Sequence, residues 1–295
     1  MVKLTFYGGV GEIRGNKILL EDRDTKILLD FGMNFVERSK FYSEPWLSPR
    51  DERGLLEFDL LPDIPGVYRF DETRSEIDAV FLSHSHTDHS AYISFLNREI
   101  PVHCGETTAL IMQAFAEITP KSFGNDLEGL QFRTFRTSDK LKVGSVEIEP
   151  THVDHSVPGA YGFVVHTTEG AVIYSGDFRA HGTKSQMTHE FVKAAAAAKP
   201  VAMLCEGTNL IGADFSTEEE VSQKLGKVVG STQNLVLATF PETQNYTDGR
   251  TSHHARRLAE IGVDAVARIQ AVPRCNSGKW KDEKWGRWKV VWLST

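Results

Sequence analysis

Apolar and polar residues alternate along Lys3–Tyr7, which predicts a short β-strand, and Lys17–Leu20 and Lys26–Asp30 follow as two more β-runs. The polar turn Asp22-Arg23-Asp24 joins the second to the third. Ile77–Ser83, with the apolar run Ala79–Leu82 inside it, reads as a buried-type strand. Further strands are predicted over Val143–Glu149, Gly162–Thr167, Ala171–Ser175, Val201–Cys205 and Leu235–Phe240. Helices are predicted over Ser90–Asn97, over Met187–Ala198 with its alanine run, and over Ser252–Ile261. Ser216 with Glu219 has the form of a capping box opening a helix that runs to about Val229. Between the third strand and Ile77 lies a long stretch, Gly32–Glu76, broken by Pro45, Pro49, Pro62 and Pro65, which reads as an irregular surface excursion. Gly8, Gly9 and Gly11 follow a strand, but another strand comes next rather than a helix, so a dinucleotide-binding fold is not supported.

Strands dominate the first half of the chain, and strands alternate with helices in the second, which makes the fold class α/β. The change near Asn209 marks a boundary between segments 1–208 and 209–270. Segment 271–295 stands apart. Trp280, Trp285, Trp288 and Trp292 sit there among lysines and arginines with neither helical nor strand period. It reads as a non-native tail, with a basic aromatic arm for nucleic acid as the other reading.

A chain of 295 residues can bury a sizeable core, and 40 % hydrophobic with 25 % charged residues is ordinary for a soluble globular protein. No apolar run approaches the ~20 residues that span a bilayer, and Met1–Gly11 has no basic-then-apolar leader. A cytoplasmic protein without membrane partners is expected. Cys104, Cys205 and Cys275 are too few and too scattered for a disulfide framework or a thiolate zinc site. The net charge of −7 is uneven: from Arg268 onward seven Lys/Arg face two Asp/Glu, which leaves the first 267 residues at −12. Such a total argues against non-specific polyanion binding but leaves room for a local cationic site.

The chemistry concentrates in His84-Ser85-His86-Thr87-Asp88-His89, four strong metal ligands within six residues directly after the apolar strand. Imidazole and carboxylate suit zinc and similar ions. Without a metal, several imidazoles held together would repel on protonation and the carboxylate would lack a partner. His84 and His86 alternate in an extended segment and can face one ion, while Asp88 and His89 can turn towards a second. His155, in Asp154-His155-Ser156-Val157-Pro158, and Asp177, in Tyr174-Ser175-Gly176-Asp177, each flank a predicted strand. His152 competes with His155 for the same role. His103, His166, His181, His189, His253 and His254 read as structural or surface residues.

The order of these pieces resembles the metallo-β-lactamase superfamily. That resemblance implies an αββα-type sandwich holding two zinc ions, with manganese an alternative. His84, His86 and His155 would hold one ion, Asp88 and His89 would serve the second, and Asp177 would bridge them. Asp30, in Leu29-Asp30-Phe31-Gly32, would orient the cluster. Finer motifs are similar to the nucleic-acid-processing β-CASP branch and to ribonuclease J within it. They are Gly8-Gly9-Val10-Gly11-Glu12-Ile13, Leu61-Pro62-Asp63-Ile64, His155-Ser156-Val157-Pro158, Leu204-Cys205-Glu206-Gly207-Thr208-Asn209 and Leu237-Ala238-Thr239-Phe240. In that light Glu206 is a supporting acid of the site, and Asp88 places or deprotonates a metal-activated water that attacks phosphorus.

The chain also departs from the pattern. Ser85, Thr87 and Ser90 stand where ribonuclease J usually has Gly, Glu and Ile. No histidine follows His254, although the family uses later ones, and the second half of the sandwich is not evident. The expectation is therefore an incomplete sandwich with the start of a β-CASP domain, as in a truncated member. The function implied is metal-dependent RNA hydrolysis by a protein that binds nucleic acid and can form a homo-oligomer. The alternatives are a thioester or lactone hydrolase of the same fold and an inactive metal-binding fragment.

Overall fold

The computed structural model describes residues 1–12, 14–43, 46–119, 122–208, 216–231, 236–239 and 289–292. The chain divides into two compact units, Met1–Ala213 and Asp214–Thr295. The first contains two sheets. Strands β1 (Val2–Gly8), β2 (Lys17–Asp22), β3 (Thr25–Phe31), β4 (Ala79–Leu82), β5 (Pro101–Gly105) and β6 (Gln131–Phe135) lie side by side in that order. The first three pair antiparallel, and β3 to β6 run parallel. The second sheet is ordered β11-β10-β9-β8-β7, from β7 (Leu141–Val143), β8 (Val146–His152), β9 (Tyr161–Thr167), β10 (Gly170–Tyr174) and β11 (Ala202–Leu204).

Alternation sorts the strand residues into layers. Ile18, Leu20, Ile27, Leu29, Ala79 and Phe81 point inward and pack with Ile148, Phe163, Val165 and Val172 of the second sheet. Their sequence neighbours Leu19, Leu28, Val80 and Leu82 face the other way, into a second core closed by Leu55, Tyr92, Ile93, Phe95 and Met112. Phe191 and Ala195 cover the outer face of the second sheet against Val164 and Ile173. These three cores separate four layers, the αββα sandwich expected from the sequence. The second sheet has five strands, and the helix that carries Phe191 and Ala195 covers its outer face.

The helices show where local pattern fell short. The excursion before Ile77 contains α1 (Phe35–Phe41), capped by the Asn34 side chain, and α2 (Glu52–Leu56), capped by Asp51. The helix expected over Ser90–Asn97 starts earlier: α3 is the single turn Thr87–Ser90, continued by a 3-10 turn at Ala91–Phe95. Helix α4 (Glu106–Ile118) and strands β5 and β6 were not predicted. Helix α5 spans Ser185–Ala197.

In the second unit, α6 (Glu218–Ser231) opens on a capping box one residue beyond the expected one. The Glu220 N–H donates to Thr217 Oγ1, and Glu220 Oε2 accepts from the Thr217 N–H. Strand β12 (Val236–Thr239) pairs in parallel with β13 (Lys289–Trp292). A strand thus forms inside the segment 271–295, where the sequence showed no period. The predicted helix Ser252–Ile261, with His253 and His254, and also Cys275, Trp280, Trp285 and Trp288 lie outside the described residues. Among the described residues no helix is long and apolar enough to cross a membrane.

Gly32 joins the fold to the site. A Cβ there would fall 1.8 Å from the Asp88 carbonyl oxygen and 2.4 Å from His89 N, so the backbone after β3 passes directly against the turn that carries both residues. Gly32→Ala should lower the thermal midpoint by the equivalent of about 1–3 kcal/mol or more, measurable by calorimetry, because backbone cannot yield as a flexible side chain can.

Candidate metal centre

The site lies where strands of both sheets end. β4 delivers Ser83 and His84, and the next residues turn into α3, which brings His86, Asp88 and His89. β8 runs into the loop holding His155, and β10 into the loop holding Asp177. Gly176 precedes Asp177 with φ +54°, and a Cβ there would sit 2.8 Å from Ser83 Cβ, so a glycine is required for the loop to approach β4.

Two sets of ligand atoms converge, each within 4.8 Å: His84, His86 and His155, and His84, His89 and Asp177. In the first, His84 Nε2 is 3.0 Å and His155 Nε2 is 3.1 Å from His86 Nδ1. Zinc–nitrogen bonds of 2.0–2.1 Å in a tetrahedron place donor atoms about 3.3 Å apart, so these three need only small adjustment to share an ion. In the second, His89 Nε2 is 3.3 Å from Asp177 Oδ1. Asp177 Oδ2 is 3.8 Å from His155 Nε2, which makes Asp177 the link between the sets. Asp88 joins neither set; its Oδ2 lies 4.0 Å from His89 Nε2 at the partly exposed rim.

Asp30 lies beneath both sets, fully buried and in the left-handed region at φ +57°. Such a conformation is costly for a non-glycine residue and persists where its surroundings over-determine it. Here they do. Asp30 Oδ1 accepts from Ser83 N at 2.7 Å, and Oδ2 accepts from Ser83 Oγ at 2.8 Å, from His89 Nδ1 at 2.7 Å and from the Tyr174 hydroxyl. With the Ser83 hydroxyl proton committed to Asp30, Ser83 Oγ is left to accept from His84 Nδ1, 2.9 Å away. Asp30 thereby fixes His84 as the tautomer with Nδ1 protonated and Nε2 bare, the form that coordinates a metal, and it holds the Nδ1–H of His89 so that its Nε2 faces Asp177.

Electrostatics follows from burial and neighbours. Burial, helped by repulsion from the His89, His86 and His155 charges, holds His84 well below the usual imidazole value. Burial and the His86 charge bring His155 down to about 3. His89 is the exception: burial opposes its charge, but Asp177 and Asp30 outweigh burial and hold it well above the usual value. Asp177 is likewise held well below the carboxylate range, His89 and His155 outweighing its burial.

His103, stacked on Phe81 at 4.6 Å, is brought to about 4 by burial and Arg133. An unfolded histidine accepts a proton near 6.5. Stability from the neutral His84, His103 and His155 is therefore full above about 6.5 and is lost as pH falls towards 4 and 3. His89 acts oppositely, its contribution being full below about 6.5 and lost as pH rises through its raised value. With three groups against one, the thermal midpoint of metal-free protein should fall steadily from pH 7 to pH 4 in a calorimetric series.

His152 lies elsewhere, its Nδ1 2.6 Å from Thr137 Oγ1 and its ring 4.0 Å from that of Tyr161. Glu206 closes the turn after β11: its carboxylate accepts from Thr208 N, and its own N–H donates to Ser175 Oγ. Those bonds tie it to the Ser175 loop rather than to the two ligand sets. Four contributors had no role in the sequence reading. Ser83 and Tyr174 serve Asp30. Asn16 Nδ2 lies 3.1 Å from His89 Nε2, and the Asn16 N–H donates to the Asp88 carbonyl. Lys17, buried and lowered to about 8 by burial, donates to the carbonyls of Gly15 and Gly32. Ser83 and Tyr174 stand beside recognised motifs, a usable signal; Asn16 and Lys17 have none.

The fold is of the metallo-β-lactamase type, and residues 59–203 match the family model described as the Beta-lactamase superfamily domain. Along nearly its whole length the chain is similar to ribonuclease J proteins, as its motifs implied. It is 24 % identical over 296 residues to Ribonuclease J 2 of Streptococcus pyogenes, which covers 96 % of this chain and 49 % of that protein. It is 26 % identical over 250 residues to Ribonuclease J of Thermus thermophilus, covering 81 % and 40 %. The chain thus spans half or less of the length of these curated relatives. A crystal structure of a protein of unknown function from Enterococcus faecalis shares the fold at a TM-score of 0.69 and 20 % identity, covering 100 % of this chain and 77 % of that one.

Proposed function

We propose that this protein is a metal-dependent hydrolase that cleaves RNA phosphodiester bonds. The observation that carries the reading is the pair of ligand sets sharing His84, with Asp177 reaching both. His84, His86 and His155 would hold one divalent ion, and His89 and Asp177 the other, zinc fitting the donor set best and manganese second. Such ions, when bound, supply Lewis-acid polarisation of a phosphoryl oxygen and acidify water.

The residues of the chain do the rest. Asp30, through Ser83 and His89 Nδ1, keeps both Nε2 atoms aimed at the ions. Asp88, at the rim and outside both sets, is the carboxylate placed to take the proton of an attacking water. Glu206 steadies the loop that leads into Asp177 through Ser175. The similarity to ribonuclease J along most of the chain favours RNA over small thioesters or lactones.

The test is a cleavage assay of metal-loaded protein on single-stranded RNA beside a thioester and lactone panel. RNA cleavage that stops with EDTA and returns with zinc or manganese is the expected result. Turnover of a thioester or lactone with intact RNA would reassign the substrate, and inertness of fully loaded protein on every substrate would sink the enzymatic reading.

A further inference from the structure

His155 and Asp177 contribute to different ligand sets and lie 22 residues apart, on loops that follow β8 and β10. Those strands are not neighbours, because β9 lies between them. No ladder hydrogen bond therefore fixes one loop against the other, and the separation of the two ligands must be set by something else.

The residue before His155 and the second residue after Asp177 are bonded to each other through both side chain and backbone. Asp154 Oδ1 accepts from Arg179 Nε at 3.2 Å and lies 3.2 Å from its Nη2. The Arg179 N–H donates to the Asp154 carbonyl at 2.7 Å. Thr188, buried on α5, closes the ring: its Oγ1 accepts from Asp154 N at 3.0 Å and donates to the Arg179 carbonyl at 2.9 Å. Asp154 Oδ2 accepts from Lys184 N at 3.1 Å. The chain then folds tightly over the pair at Gly182, where a Cβ would meet Asp154 Oδ2 at 2.3 Å and Arg179 Nε at 2.4 Å. Asp154 is only 3 % exposed, and a buried carboxylate is tolerated when it is paired and fully hydrogen-bonded, as this one is.

We propose that Asp154 and Arg179, locked to α5 by Thr188, form a positioning clamp that sets His155 relative to Asp177, so that the two ligand sets keep the separation at which both can hold an ion. This rests on the metal-centre reading above. Neither residue supplies a ligand atom to the two sets; the clamp acts through the ligands beside it. Its directional bonds are why an arginine fork serves here, where an ammonium would give a single point contact.

The experiment compares the full chain with its Asp154→Asn and Arg179→Lys variants and with the double variant. Each is titrated with zinc by calorimetry in the metal-free form, loaded with cobalt(II) for its visible absorption, and melted without metal. Both single variants should bind zinc about 10–100-fold more weakly, the cost of losing an orienting partner, and should show altered cobalt bands. The double variant should be little worse than either single one, because one device has been broken twice. If one single variant fails to fold, the other still reports.

Wild-type zinc affinity and cobalt bands in variants that merely melt earlier would show a structural tie and overturn the proposal. Wild-type protein that takes up neither metal would overturn the metal centre and the clamp together. Tight metal binding by the wild type without RNA cleavage would sink the ribonuclease reading and leave the clamp to stand on the variants.

Discussion

Replacing His84 and His86 together with alanine should leave the protein without bound metal after dialysis, while the wild type retains it. His84 and His86 belong to the first ligand set, and with both gone that set is reduced to His155. The loss should greatly exceed the 10–100-fold that follows removal of an orienting partner, because coordinating atoms themselves are removed. Elemental analysis of both proteins, prepared side by side, reads the result, and equal metal content would show that the ions bind elsewhere. Stability should suffer less than for an ordinary core truncation in one respect: removing the His84 imidazole also removes a buried group whose protonation the fold resists.

The second large effect is expected at Asp30. Asp30→Asn preserves volume but presents an amide NH2 to a pocket filled with donors: Ser83 N, Ser83 Oγ, His89 Nδ1 and the Tyr174 hydroxyl. Breaking a buried charge pair by removing one partner costs about 3–5 kcal/mol. In a unit of this size 1 kcal/mol moves the melting midpoint by roughly 2–4 °C, so a fall of about 6–20 °C is expected in metal-free protein. Metal binding should weaken at both sets at once, because His84 and His89 lose the contact that orients their rings. A variant that melts within a degree of wild type and binds zinc normally would mean that the surrounding loops, not Asp30, hold the imidazoles.

Both effects trace to residues at very different depths in the sequence. His84, His86 and His89 are legible because their spacing is local: six residues after an apolar strand can point at one place whatever the rest of the chain does. Asp30 was legible only as part of a resemblance. Its reach to Ser83, 53 residues away, exists because β3 and β4 are parallel neighbours and the chain leaves both at the same edge. Tyr174 reaches the same carboxylate from the second sheet, across the core between the sheets. Strand order of this kind is a product of burial on both faces of a sheet and leaves no mark at either residue.

What the sequence by itself determined is the strand-to-loop junction at Ser83, the ligand types of the His84–His89 cluster and the α/β class. What only the tertiary structure decided is who stands beside whom. It pairs His84 with His89 and Asp177 and leaves Asp88 at the rim; it turns Glu206 into a loop closure and recruits Asn16 and Asp154. It also supplies β5, β6 and α4, whose short mixed patterns become intelligible only once parallel pairing and the packing of Ala109 and Met112 against the sheet are in place. The physical reason is the range of the forces. Backbone periodicity and spacing act over a few residues and are written in order along the chain. Burial and hydrogen-bond satisfaction act between segments dozens of residues apart, and they select partners only when the sheets close on each other.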